Sequence, residues 1–358
     1  MTHALQTKIG SLTLKNPLIA GSAEHLISPQ GIRLALQAGV GAVIAKSVNE
    51  TAAGRDQLQR AEYALFDDQW RQIAWDKTAP ATAFVGCRSG LNPQSFEEWL
   101  AHLVELDAEA KALSSYVVPS LILAELSEAL VLAKRIEAAG LRVLELNIGT
   151  PYASVAAKGV VSTELDPKRV HEIVSAMRAA ISLPLWVKIT GQSERVPDLA
   201  QAAFEAGADS VVMAGRSLGL IPDVETMEPV LGTTLGVGGF WNLPLTCQWL
   251  ALSRAKLGPT RSLIGTNGAQ SGLDIARMML AGASAVEMSS PVMWRGFELL
   301  SQSLQDFEAY LTRKNITALD LIGKAADARK TFAQMPLKQD NWMNYVPACV
   351  REDGRTQE

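Results

Sequence analysis

Two lysines, an asparagine and a stretch of small residues carry most of the chemistry this sequence can offer. Lys46 ends the apolar run GAVIAKS (41–47), and Lys188 ends LPLWVKIT (183–190). A lysine at the carboxyl end of a buried strand is costly unless something compensates its charge, so each implies an anionic ligand or a carboxylate partner. Asn147, near the end of RVLELNIG (142–149), offers an amide that can donate and accept together. The small-residue stretch is 262–296, SLIGTNGAQSGLDIARMMLAGASAVEMSSPVMWRG. It reads as strand, Gly-containing turn, helix, strand, Ser-Ser turn and helix, because Ile275, Met278, Met279 and Ala283 recur three or four apart while Asp274 and Arg277 fall elsewhere. Two such units in succession direct backbone N–H groups and helix N-termini at one point, an arrangement suited to a phosphate.

The elements that must position these groups alternate steadily. Strands are expected to begin near 17, 42, 115, 142, 184, 210, 262 and 285, each followed by a helical pattern. Eight strands alternating with helices predict an α/β fold of the (β/α)8 TIM-barrel type, whose functional residues gather where the strands end. Those ends carry Ala20, Gly21 and Ser22, then Lys46 and Ser47, Asn147 to Thr150, Lys188 and Thr190, and Ala214 to Arg216. Residues 48–83 read as an excursion over the barrel mouth and 84–94 as a Gly-bearing loop, with a helix from Ser95 capped by Glu98. The irregular stretch 216–240 brings Gly238 and Gly239, a further point of close backbone approach. The expected organisation is a barrel over 1–312 and a C-terminal extension over 313–358 packed on it.

Composition narrows the function. The 358 residues are 48% hydrophobic and 20% charged, with a net charge of −4, which argues against nucleic acid or an anionic membrane as the main partner. Cys87, Cys247 and Cys349 are far apart, so no cysteine-ligated metal or iron–sulfur site is expected, and a reducing compartment is favoured. The opening MTHALQTKIGSLTLKNP lacks a signal pattern and no apolar run approaches membrane-spanning length, making the cytoplasm the default location.

The motifs NPLIAGS (16–22), IAKS (44–47), ELNIGTP (145–151), WVKIT (186–190) and IGTNGAQSGLDIARMMLAGASAVEMSS (264–290), with the weaker GVGG (236–239), resemble in order and spacing the dihydroorotate dehydrogenase family, which includes the flavin barrel of dihydropyrimidine dehydrogenase. The resemblance spans about 9 to 311 and implies a bound FMN and a homodimer. It implies that Ala20, Gly21 and Ser22 let the flavin ring approach the backbone and that Lys188 neutralises charge at its pyrimidine edge. Lys46 and Ser47 would lie beside ring and substrate, Asn147 would hydrogen-bond either one, and Gly215 would stand near the ring. Main-chain N–H groups around Gly238, Gly239, Gly268, Ala269, Ser289 and Ser290 would hold the phosphate. The implied half-reaction moves a hydride to flavin N5 while a side chain on the opposite face takes a proton.

The chain departs from the family pattern at the substrate. Thr150 occupies the proton-accepting position usually held by Cys or Ser. It is a weak base that needs a neighbour, with Glu24 and His25 as further candidates. Where the family reads its pyrimidine with amides, this chain has Cys87, Tyr152 and Gly215 or Arg216; Asn147 is the amide clearly kept. Losing matched hydrogen bonds costs several orders of magnitude in selectivity. The expected function is therefore an FMN-dependent oxidoreductase acting on a small polar, acidic substrate other than dihydroorotate, with Arg88, Arg216 and Lys46 facing the cavity. Thr150, Lys46 and Asn147 form its expected catalytic set. The alternatives are an authentic dihydroorotate dehydrogenase with Thr150 as base and a non-redox phosphate-binding lyase or isomerase.

Overall fold

A computed structural model describes residues 3–49, 51, 55–149, 164–213 and 215–347. Its centre is a ring of parallel strands: Leu18–Ala20, Ala42–Ile44, Tyr116–Val118 continued by Ser120–Ile122, Leu144–Asn147, Leu185–Lys188, Ser210–Met213, Ser262–Gly265 and Ala283–Met288. The expected single strand at 115–123 is thus interrupted at Pro119. Its first half pairs with Ala42–Ile44 and its second with Leu144–Asn147, and this double engagement closes the barrel. The last strand pairs back onto the first, Val286 beside Leu18 and Met288 beside Ala20.

Side-chain alternation fixes what each strand presents. Ile19, Ile44, Val118, Val143, Trp186, Val212, Ile264 and Ala285 form one apolar cluster inside the ring. The N-terminal hairpin, Thr7–Ile9 with Leu12–Leu14, contributes Ile9 and Leu14 to the same cluster. The residues between them face outward against the helices, as Leu18, Val43, Val117, Leu144, Val187, Val211, Leu263 and Val286 do in the larger core. Local sequence sets the helix starts. Ser28 accepts from the Gly31 amide ahead of Pro29–Gln37, Ser95 and Glu98 form a reciprocal capping box ahead of Phe96–Ala112, and Ser271 accepts from the Asp274 amide ahead of Gly272–Leu280. That last helix stops at Leu280, so Ala283 opens the following strand rather than completing the helical face.

Three segments expected to lack regular structure form a second sheet. Ser217–Gly219, Leu235–Gly238, Phe84–Arg88, Glu62–Phe66 and Gln72–Ile73 pair antiparallel in that order. The stretch 84–88, expected as a loop, is its middle strand; its two glycine-separated apolar faces were too short to show a period. Ala64, Phe66, Phe84 and Val237 cluster on one side of it, while Leu65, Val85, Cys87 and Trp294 cluster on the other.

The chain divides into two compact units, Met1–Asp327 and Ala328–Glu358. The helix Glu298–Lys314 and the turns up to Asp327 belong to the first. In the second, the described residues form short helical turns, Phe332–Gln334 and Asn341–Tyr345. Among the described residues no helix is long and apolar enough to cross a membrane.

Candidate active site

Two residues beyond the apolar interior layer, each strand turns a different kind of side chain inward. Val143 is followed by Glu145, Trp186 by Lys188, Ala285 by Glu287, Ile44 by Lys46 and Val118 by Ser120. The alternation that buries the apolar layer therefore also builds a polar one above it. Lys188 Nζ lies 2.8 Å from Glu145 Oε2 and 2.9 Å from Glu287 Oε2, and both carboxylates are almost fully buried. Burial pushes the Lys188 ammonium down, but the two carboxylates beside it more than reverse this and hold it above its ordinary value. Glu287 moves the other way: burial pushes its carboxyl up against the pull of Lys188, with Glu145 adding to the rise, to about 7. Glu145 also accepts a 2.8 Å hydrogen bond from Ser120 Oγ, which is 2.8 Å from Ser47 Oγ, itself 3.3 Å from Ser22 Oγ. A continuous polar line thus runs from the mouth to the buried carboxylates.

Above this layer lies a cavity of about 1270 Å³ including its open mouth. Lys188, Glu287 and Asn147 line its floor, and Asn147 accepts from the Gly149 amide at 3.1 Å. Gly238, Gly239, Gly268, Ala269, Ser289 and Ser290 line one wall. Gly268 has φ +118°, and a Cβ there would meet Leu243 Cα at 2.6 Å, so only glycine holds this turn. Neither its amide nor that of Ala269 donates to a backbone acceptor among the described residues. Gly21 is required for a different reason, since a Cβ would meet Ser289 Oγ at 2.1 Å. An anionic group fits this wall of glycines, hydroxyls and backbone amides, and the floor supplies a cation and an amide for a polar ring edge.

The opposite wall is built differently. Lys46 Nζ contacts Glu24 Oε1 at 2.6 Å, and the Tyr63 hydroxyl donates to the same oxygen at 2.7 Å. Burial raises the Glu24 carboxyl, yet Lys46, Arg216 and Tyr63 outweigh it and bring it down to about 2. Burial and Glu24 together raise the Tyr63 phenol. Arg216 Nη1 donates to Cys87 Sγ at 2.9 Å and its Nη2 to Ser89 Oγ. Cys87 sits between Gly236 and Tyr63 in the antiparallel sheet, so the sheet's register assembles this cluster from three distant segments.

Most of the expected residues converge on the cavity: Ser22, Lys46, Ser47, Cys87, Asn147, Lys188, Gly215, Arg216 and the residues expected to hold a phosphate all line it. Arg88 does not. It follows Cys87 on a strand and therefore faces the other side, paired with Glu62. Ala20 joins the outer helix-facing core, while Gly21 turns inward behind Glu287 and Ser289. Thr150 and Tyr152 lie outside the described residues. Of the further candidates, Glu24 lines the cavity as a strongly acidic carboxylate, too weakly basic to take a proton near neutrality. His25 is buried against Phe297 at a ring distance of 5.5 Å, pushed down to about 4 by burial, and does not line the cavity. Sequence reasoning missed Glu287, Tyr63 and Ser120. Glu287 was legible in principle, as a lone acid two residues past an inward alanine on a strand of apolar neighbours.

The family model described as Dihydroorotate dehydrogenase matches residues 85–311. The catalytic subunit of dihydroorotate dehydrogenase B (NAD(+)) from Methanocaldococcus jannaschii is 24% identical over 327 residues, covering 90% of this chain and 98% of that protein. The corresponding subunit from Pyrococcus furiosus is 26% identical over 326 residues, covering 90% and 99%. Dihydroorotate dehydrogenase A (fumarate) from Lactobacillus delbrueckii subsp. bulgaricus is 31% identical over a shorter 160 residues, 44% of this chain and 50% of that protein.

Proposed function

Because the chain belongs to the dihydroorotate dehydrogenase family, and so is an FMN-dependent oxidoreductase acting on CH–CH bonds, we propose that it oxidises or reduces such a bond in a small carboxylic acid that is not dihydroorotate. The observation that carries this reading is Arg216, which enters the cavity held by Cys87 and Ser89 where an amide would otherwise meet a pyrimidine. Its planar fork suits a carboxylate, and with Glu24 offsetting Lys46 it leaves the substrate wall with a surplus positive charge. A half-buried arginine and a thiol in place of amides leave a dihydropyrimidine ring without matched partners.

Bound FMN supplies the two-electron chemistry. The chain's own residues do the rest. The amides and hydroxyls around Gly268, Ala269, Ser289 and Ser290 bind the phosphate. Lys188 holds positive charge at the floor, and Asn147 orients the ring edge or the substrate. Arg216 and Lys46 draw the carboxylate into place, and the apolar Val85 and Leu91 on the same wall exclude water. Thr150 is the proposed proton-transfer group. A homodimer and a cytoplasmic location belong to the same reading, the first checked by sedimentation.

A second reading, dihydroorotate itself, is favoured by the names of the relatives. Anaerobic mixing separates the two. The first expects dihydroorotate to leave the flavin oxidised, while fumarate and succinate perturb its spectrum in a way that the R216A variant loses. Rapid bleaching by dihydroorotate establishes the second reading, and unchanged binding in R216A refutes the first.

A further inference from the structure

The floor of the cavity holds two carboxylates to one ammonium. Glu145 accepts a hydrogen bond from Ser120 Oγ at 2.8 Å through one oxygen and is ion-paired with Lys188 at 2.8 Å through the other. Glu287 spends one oxygen on Lys188 at 2.9 Å, while its Oε1 is buried without a hydrogen-bond partner among the described residues. Unlike Glu145, Glu287 lines the cavity. The glycine at position 21 packs its backbone against it, so close that a Cβ would lie 3.2 Å from Glu287 Oε2, and it contributes no charge. Lys188 and Glu145 are the ionisable groups that act on Glu287, and both belong to this floor. A lysine alone beneath a flavin favours the negatively charged reduced form; a lysine already matched by Glu145 and given a second carboxylate does not.

We propose that Glu287 is a positioning residue that acts through Lys188: its carboxylate, the second at this site, turns a floor that Lys188 and Glu145 leave neutral into an anionic one and lowers the reduction potential of the bound flavin. The proposal rests on the FMN reading above. It assigns to one strand residue a control over electron affinity that leaves phosphate and substrate contacts untouched. The elevated titration of Glu287, near neutrality, makes this control strongest above pH 7 and weakest well below it, where the carboxyl is protonated and neutral.

The test is the midpoint potential of FMN in the intact holoprotein, measured spectroelectrochemically for wild type, E287Q and E287D at about pH 8.5 and about pH 5.5. E287Q is expected to favour the reduced flavin ten- to hundredfold at the higher pH, about 30 to 60 mV for a two-electron couple. At the lower pH the two proteins converge, and E287D keeps the low potential. Equal potentials for wild type and E287Q at the higher pH overturn the proposal and leave the FMN reading intact. A wild type that holds no flavin and takes up none overturns both. If E287Q loses its flavin, the wild type decides alone. By linkage, reduction must then raise the proton affinity of the carboxyl, seen as a gained protonated-carboxyl band in redox infrared difference spectra. Absence of that band refutes the proposal.

Discussion

Replacing Lys188 with methionine removes the ammonium shared by Glu145 and Glu287 and leaves two carboxylates that were 2.8 and 2.9 Å from one nitrogen facing each other in the barrel interior. At an effective dielectric of about 20, two like unit charges within about 5 Å of each other repel by about 3 kcal/mol or more. Breaking a buried pair costs about 3 to 5 kcal/mol when the surviving charge is stranded. K188M should therefore lose about 3 to 5 kcal/mol at pH 7, a large share of a typical domain's stability. The loss must depend on pH with a definite sign. In the variant Glu287, already raised above the ordinary 4.5 by burial, loses the opposing pull of Lys188, so stability is present below that pH and lost as pH rises through the raised value. Urea unfolding at pH 5 and pH 8 measures both arms, with the deficit larger at pH 8. The double variant K188M/E287Q should recover a substantial part, because the repulsion goes with one of its members. A K188M protein within about 1 kcal/mol of wild type at pH 8 would refute the reasoning, since exposed rather than buried pairs behave that way.

Three further outcomes follow from the same geometry. Glu24, lowered to about 2 from an ordinary 4.5, contributes stability that is present above pH 4.5 and lost as pH falls towards 2. Acid unfolding of E24Q should show that segment flattened, with roughly 2 to 3 kcal/mol less stability at pH 7. G268A should raise the dissociation constant for FMN at least tenfold, because φ +118° and the 2.6 Å approach to Leu243 Cα force the phosphate turn to shift; fluorescence quenching of free FMN reads this. R88A, on the far face of its strand and paired with Glu62, should change turnover by less than about twofold in steady-state assays, whereas R216A should weaken carboxylate binding by about ten- to a hundredfold, the worth of one charge-assisted hydrogen bond.

The barrel was legible because its signal is local and repeated. Apolar runs of strand length alternate with capped helical patterns, and residues such as Ser95 and Glu98 announce a helix start on their own. The lysines were legible for the same reason: a charge at the end of an apolar run stands out. What escaped was made by pairing across long separations. Phe84–Arg88 has a glycine at its centre and too few residues to display a period, and it becomes a strand only between Leu235–Gly238 and Glu62–Phe66. The side on which Arg88 falls follows from that pairing and from nothing near it in sequence. The charge state of the floor was hidden likewise, because Glu145 and Glu287 lie 142 residues apart in the sequence and reach one lysine only when the ring closes.

The strand Ala283–Met288 closes the ring against Leu18–Ala20, and it also delivers Glu287 and leads directly to Ser289 and Ser290. An open barrel lacking that final pairing has neither the complete floor nor the wall proposed to hold the cofactor's phosphate. Cofactor affinity is thus confined to the closed form, and any occupancy draws the equilibrium towards closure by mass action, about 2.7 kcal/mol at a ligand concentration a hundredfold above its dissociation constant. The flavin is a clasp on the seam of the barrel as well as its redox group, and heat or denaturant should open that seam sooner in the apoprotein.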